Sequence, residues 1–365
     1  VPPTSTRAAL TVEQCWQPVP GGSGTYIVEL TRELALRDDV EATGVAARHG
    51  GPAPADWTPG VPVRHSRLPR RLLYDAWQRL PGPRAEAIAG DVDVVHATTW
   101  AIPPTRRPLV VTVHDVAFLH DPSHFTARGN RFFRRALEQT TAAVTVVVPS
   151  RATADDCVAV GIPAARIEVV PHGARIGPPD PARVAALRAR HGLERPYVLW
   201  CGTVEPRKNL PGLLTGFASV ADELPGTDLV LVGPTGWGEG LTLPDHVRDR
   251  VHVLGRLDRE DLDAAFAGAD AFVFPSLREG FGLPVVEAMA HGLPVVTSRG
   301  TSCAEVGGDA AVLVDPLDTR EIGRGIVTAL GARDELSPRS RARAAQFTWA
   351  AAAARTAEIY AAATR

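Results

Sequence analysis

The chain has 365 residues, 45% of them apolar and 22% charged, which is too long for one ordinary core and suits two soluble α/β domains. A formal net charge of −2 excludes the strongly basic balance of a nucleic-acid binder. No apolar run approaches the roughly 18 to 20 residues that span a bilayer. The stretch Val1–Arg7 is polar and lacks the apolar centre of a signal peptide, so the expected compartment is the cytoplasm. Cys15, Cys157, Cys201 and Cys303 are scattered, with no C-x-x-C pair and no histidine at metal spacing. Reduced thiols and no metal are expected.

In chain order, Ala8–Val12 reads as a first strand. A glycine turn, Gly21-Gly22-Ser23-Gly24, follows it, and then a helical pattern through Tyr26, Val28, Leu30 and Leu34. Arg64–Arg84 is basic, with Leu72, Leu73, Trp77 and Leu80 at helical spacing. It is either a surface helix packed on the core or a segment that touches anionic membrane peripherally. Val92–His96, Leu109–His114 and Val144–Val148 read as buried strands, and Arg128–Thr141 and Arg151–Val160 as helices. Residues 171–179 are rich in Pro and Gly and read as an interdomain linker.

The pattern then restarts. Tyr197–Gly202, Leu229–Gly233, Val251–Leu254, Ala271–Phe274, Pro294–Thr297 and Ala311–Val314 read as strands; Leu210–Glu223 and Arg259–Ala267 read as helices. An Ala-rich helical run, Trp349–Ala363, follows. Alternating strands and helices with near-continuous apolar strands predict two parallel sheets, each covered on both faces, with a cleft between the domains. Ligands bind such sheets at the carboxyl ends of the strands.

Four motifs stand at such ends. Glu279-Gly280-Phe281-Gly282-Leu283-Pro284-Val285-Val286-Glu287 places the first carboxylate in a loop and the second in a first helical turn. The glycines between them let backbone N–H groups approach an anion. Such a turn suits a sugar diphosphate, and equally an acidic helix start. Gly202-Thr203-Val204-Glu205-Pro206-Arg207-Lys208-Asn209 puts cations at another strand-to-helix turn; Lys208 is the one lysine among 39 Lys plus Arg. The turn at Gly21–Gly24 lacks the G-x-G-x-x-G order of a dinucleotide site. His114-Asp115 ends a buried strand, where a histidine is either a satisfied polar group or a catalyst. Asp91-Val92-Asp93 is a D-x-D motif before a strand, read as an exposed turn rather than a metal site.

Together these motifs resemble retaining family-4-type glycosyltransferases of the GT-B fold, bacterial and mannosyltransferase-like. Val148-Pro149-Ser150, Val170-Pro171-His172-Gly173, Val253-Leu254-Gly255 and Phe274-Pro275-Ser276 add to the likeness. The resemblance implies two doubly wound Rossmann-like domains facing across a cleft. An acceptor domain would span 1–173 and a nucleotide-sugar domain 174–346, and the helix in 347–365 would cross back to the first. Glu279 would bind sugar hydroxyls, Glu287 the ribose, Lys208 and Arg207 the diphosphate, and His114 the sugar near the reacting carbon. Gly202, Thr203, Gly233, Leu254, Leu257, Gly280, Phe281, Gly282 and Leu283 would line the donor. Gly21, Gly22, Ser23, Gly24 and Asp115 would form an acceptor or phosphate loop. Thr203 stands where many relatives carry Arg, and Arg207 would supply that charge.

The implied activity is metal-independent transfer of a hexose with retention, GDP-mannose being the first donor to test. It would require no separate cofactor. The acceptor would be a glycan, a lipid-linked molecule or a small molecule. The rivals are a non-catalytic sugar-nucleotide binder, an NAD-linked enzyme and a sugar-nucleotide epimerase on the same fold.

Overall fold

The computed structural model describes residues 5–175, 177, 180–234 and 242–365. Residues 1–4, and Ile176, Pro178 and Pro179 of the expected linker, lie outside the described residues. The chain divides into two compact units: Val1–Gly173 with Trp349–Arg365, and Ala174–Thr348.

In the first unit β1 (Thr6–Thr11), β2 (Val40–Ala46), β3 (Val63–His65), β4 (Val94–Ala97), β5 (Leu109–Thr112), β6 (Thr145–Val148) and β7 (Ile167–Val169) form one sheet in the order β3-β2-β1-β4-β5-β6-β7. In the second, β8 (Tyr197–Cys201), β9 (Asp228–Val232), β10 (Val251–Gly255), β11 (Ala271–Phe274), β12 (Val295–Ser298) and β13 (Ala311–Val314) run β10-β9-β8-β11-β12-β13. Every strand pairing is parallel. β4, β5, β8, β9 and β11 are buried along their whole length, because helices cover both faces of each sheet. The strand order reverses between β1 and β4 and again between β8 and β11, the places where doubly wound sheets leave a crevice.

Three local expectations are corrected. The glycines at 21–24 are not a turn before a helix; they open the helix Gly21–Leu34. Gly21 takes φ +62°, and a Cβ on Gly24 would lie 2.4 Å from Pro20 Cβ, so small residues let the helix start tightly against its own entry. Arg64–Arg84 is not one helix. It begins in β3, and only Arg70–Arg79 is helical, with Leu73 and Trp77 buried in the core while Leu72 and Leu80 are exposed. β3 and β7, absent from the sequence reading, complete the first sheet together with β2.

The helix Trp349–Ala363 belongs to the first unit. Its Trp349 stacks on His172 with ring centroids 5.5 Å apart. Its Tyr360 hydroxyl lies 2.7 Å from His96 Nδ1, inside the sheet's core. The D-x-D carboxylates are held by arginine: Arg7 binds both Asp91 and Asp93, at 2.7 Å to the latter, and Arg107 reaches Asp91 at 3.3 Å.

Candidate active site

Two loops leave the switch point of the second sheet side by side. After β8 the chain passes Gly202 and forms a short helical turn, Pro206–Lys208. Asn209, at φ +55°, then redirects it into the helix Leu210–Ser219. After β11 the loop 275–282 leads into the helix Leu283–Ala290, which Gly282 enters at φ +99° with Cys303 packed where a Cβ would sit. The loops are tied by backbone and side chain. Leu277 N–H donates to the Arg207 carbonyl at 2.8 Å, and the Asn209 amide donates to the Pro275 carbonyl at 3.1 Å.

That juxtaposition places Lys208 Nζ 2.6 Å from Glu279 Oε1 and Arg207 Nη1 2.8 Å from Glu279 Oε2. Arg207 Nε also meets Glu205 at 2.6 Å. Lys208 and Glu279 side chains are 9% and 8% exposed, so little solvent screens the pair. Lys208 Nζ lies 4.9 Å above the Phe274 ring. Burial pushes the Glu279 carboxyl up, but the charges of Arg207 and Lys208 outweigh it and hold the group below its ordinary range. Ser302 Oγ donates to the Glu279 carbonyl at 2.8 Å and fixes the loop from behind.

Glu287 is corrected in position. The helix starts at Leu283, so Glu287 lies in its second turn rather than its first, where Arg259 Nη1 meets it at 2.6 Å. Gly202 and Gly233 touch backbone to backbone: a Cβ on Gly233 would lie 1.8 Å from the Gly202 carbonyl oxygen. Leu254, Leu257 and Leu283 are partly buried against the same core, and Phe281 is buried edge-on to Phe347.

In the first unit His114 follows β5. Burial lowers its pKa, opposed by the Thr98 carbonyl and the Asp115 charge. Its Nε2 donates to the Thr98 carbonyl at 3.0 Å, which leaves Nδ1 as the acceptor of a neutral ring. Tyr26 meets His114 edge-on at 4.9 Å. Asp115 Oδ1 accepts from Ala117 N–H at 3.1 Å and starts the next helical turn.

Residues 20–176 match the family described as Glycosyltransferase Family 4, and residues 195–332 match Glycosyl transferases group 1. D-inositol 3-phosphate glycosyltransferase of Xylanimonas cellulosilytica is 31% identical, over 94% of this chain and 92% of that protein. The chain belongs to glycosyltransferase family 4. O-antigen chain mannosyltransferase B of Escherichia coli is 29% identical to this glycosyltransferase, over 93% and 95% of the two chains. Anabaena HepE in complex with UDP and glucose shares its GT-B fold with a TM-score of 0.73 at 21% identity, covering 98% of this chain and 99% of that one.

Within the glycosyltransferase the second unit thus gathers Arg207, Lys208, Glu279, Gly280 and Gly282 at one switch point, while His114, Asp115 and Gly21–Gly24 lie in the first unit. Sequence reasoning missed Glu205, Arg259 and Ser302. A carboxylate two residues before Arg207 was visible as a signal; Arg259 and Ser302 come from other helices and were not. Among the described residues, no group of three or more His, Cys, Asp and Glu could hold a metal ion, and no helix is long and apolar enough to cross a membrane.

Proposed function

We propose that this glycosyltransferase moves a hexose from a nucleoside diphosphate sugar to an acceptor hydroxyl with retention and without a metal ion. The carrying observation is the Glu279–Lys208–Arg207 cluster, which stands where two helices begin at the sheet's switch point. Helix N-termini favour a diphosphate, and Lys208 and Arg207 add charge to the leaving group as the glycosidic bond breaks. The four charges of Glu205, Arg207, Lys208 and Glu279 sum to zero, so the cations act as oriented donors more than as a bulk positive field. Glu279 accepts from sugar hydroxyls, Glu287 from the ribose, and His114 offers Nδ1 to the sugar. The departing phosphate takes the acceptor proton, so no enzyme nucleophile is needed.

GDP-mannose is the first donor to test, supported by the mannosyltransferase relative. Proton NMR of the first product formed with GDP-mannose, UDP-glucose and related donors reads the reaction directly. The expected product keeps the donor's anomeric configuration and forms equally well in EDTA. An inverted signal, or activity that returns only with Mg²⁺ or Mn²⁺, overturns the reading. Exposed Arg71 and Arg79 beside exposed Leu72 and Leu80 support peripheral contact with anionic membrane; co-sedimentation with anionic vesicles tests it.

A further inference from the structure

Two helices of the second unit face each other through side chains spaced alike: Arg259 and Asp263 on Arg259–Ala267, and Glu287 and the capping His291 on Leu283–Ala290. Arg259 Nη1 donates to Glu287 Oε1 at 2.6 Å, and its Nη2 lies 3.2 Å from Asp263 Oδ1. Nη2 also donates to the Arg175 carbonyl, near the start of the unit. One turn on, His291 Nε2 lies 3.7 Å from the same Asp263 oxygen, and its ring stacks on Phe266 with centroids 5.4 Å apart. The guanidinium is thus held from three sides. The Glu287 side chain is 9% exposed; among the described residues its Oε2 accepts no hydrogen bond, and it keeps contact with solvent. The Cys201 thiol, at the end of β8, is pushed up to about 12 by burial and by the Glu287 charge, while Arg259 and Lys208 oppose the shift. The ion pair and the Lys208 cation therefore border one residue at the sheet's switch point.

A carboxylate that can turn presents either oxygen to any donor. One whose first oxygen is held by a clamped, planar guanidinium presents the second in a single direction. A hydroxyl placed there makes a charge-assisted bond, and a ligand without that hydroxyl leaves the oxygen unmet. We propose that Arg259 is a positioning residue for the nucleotide: it holds Glu287 Oε1 so that Oε2 faces a ribose hydroxyl, and it thereby sets a preference for ribose over rings that lack the hydroxyl. The inference rests on the assignment of Glu287 to the ribose. A guanidinium that only pinned two helices together would change stability and leave that preference alone.

Calorimetric titration of the full chain with GDP, UDP and their 2′-deoxy and 3′-deoxy forms tests it. The parent should bind at least one ribonucleotide about tenfold or more tightly than one of its deoxy forms. Arg259→Met keeps the stem and loses the planar fork. It should weaken the ribonucleotide about tenfold, leave the deoxy form nearly unchanged and bring the ratio close to one. Arg259→Lys keeps the charge but cannot span Glu287, Asp263 and the Arg175 carbonyl together, so its ratio should fall between the two. A parental ratio in Arg259→Met, or in Arg259→Lys where the first variant does not fold, overturns the inference and leaves Glu287 on the ribose. A parent that binds neither ribonucleotide, or binds ribo and deoxy forms alike, removes Glu287 from the ribose and the inference with it.

Discussion

Glu279 and Lys208 touch one another, yet their proposed partners differ, so their variants should fail differently. In the proposed role Lys208 faces charge that grows as the bond breaks, so its interaction would strengthen in the transition state. A charge-assisted hydrogen bond is worth about 1.5–3 kcal/mol, so Lys208→Ala should lower kcat/KM roughly 10- to 100-fold and weaken free nucleoside diphosphate as well. Glu279→Gln should cut turnover while leaving diphosphate affinity nearly intact. Titrating both variants with GDP and UDP and then measuring transfer separates the roles; Glu279→Gln at the parental rate removes Glu279 from the sugar site. Buried carboxylates that hold cations also stabilise the fold. The Glu279 carboxyl is depressed by Arg207 and Lys208 against its burial, so its contribution is present above the ordinary carboxylate range and is lost as pH falls through its lowered pKa.

At the scale of elements, the backbone of Gly202 and Gly233 is pressed together at the ends of β8 and β9. Gly233→Ala would set a methyl 1.8 Å from the Gly202 carbonyl oxygen at φ +143°, and backbone cannot yield as a side chain does. The expected loss is on the order of 3 kcal/mol with weakened nucleotide binding, whereas Gly226→Ala, with nothing within 4 Å, should shift stability by less than about 0.5 kcal/mol. Thermal unfolding with and without GDP checks both. These elements also show what the sequence discloses. Ala271–Phe274, Arg259–Ala267 and Trp349–Ala363 have the bounds that apolar runs and helical periodicity indicate. β3 and β7 escaped because no residue in either is fully buried and no apolar run marks them. The glycines at 21–24 read as a turn because propensity opposes glycine in helices, while packing on Pro20 and Trp57 overrides it. In the site, each loop was legible by itself. The pairing of Lys208 with Glu279, 71 residues apart, and the arrival of Arg259 at Glu287 are products of strand order, which local pattern does not encode.

At the scale of the whole molecule, the two units should respond to acid in sequence. Burial and neighbouring His114 push His96 down to about 3 and His172 well below its ordinary value, and burial also lowers His114; all three lie in the first unit. Unfolded histidines take up protons near pH 6.5, so from there down to these lowered values the unfolded state binds more protons and stability falls with pH. In the second unit, burial raises the carboxyls of Glu279 and Asp261, but their arginine and lysine partners bring both below the ordinary range, so their support is withdrawn only at lower pH. Hydrogen exchange stepped from pH 7 to 3.5 should therefore expose β5 before β11, and the reverse order would refute the assignment. The return of Trp349–Ala363 to the first unit has a consequence for biosynthesis. Ala174 N–H bonds the Phe347 carbonyl at 3.1 Å, so the second unit is entered and left through neighbouring segments, as an insertion inside the first. On the ribosome, residues 1–173 must wait for the whole of 174–348 before Tyr360 can reach His96. Until then the insertion's host has all seven strands but lacks the helix Trp349–Ala363, so the apolar surface that Trp349 and Tyr360 later cover stays open while the insertion is made.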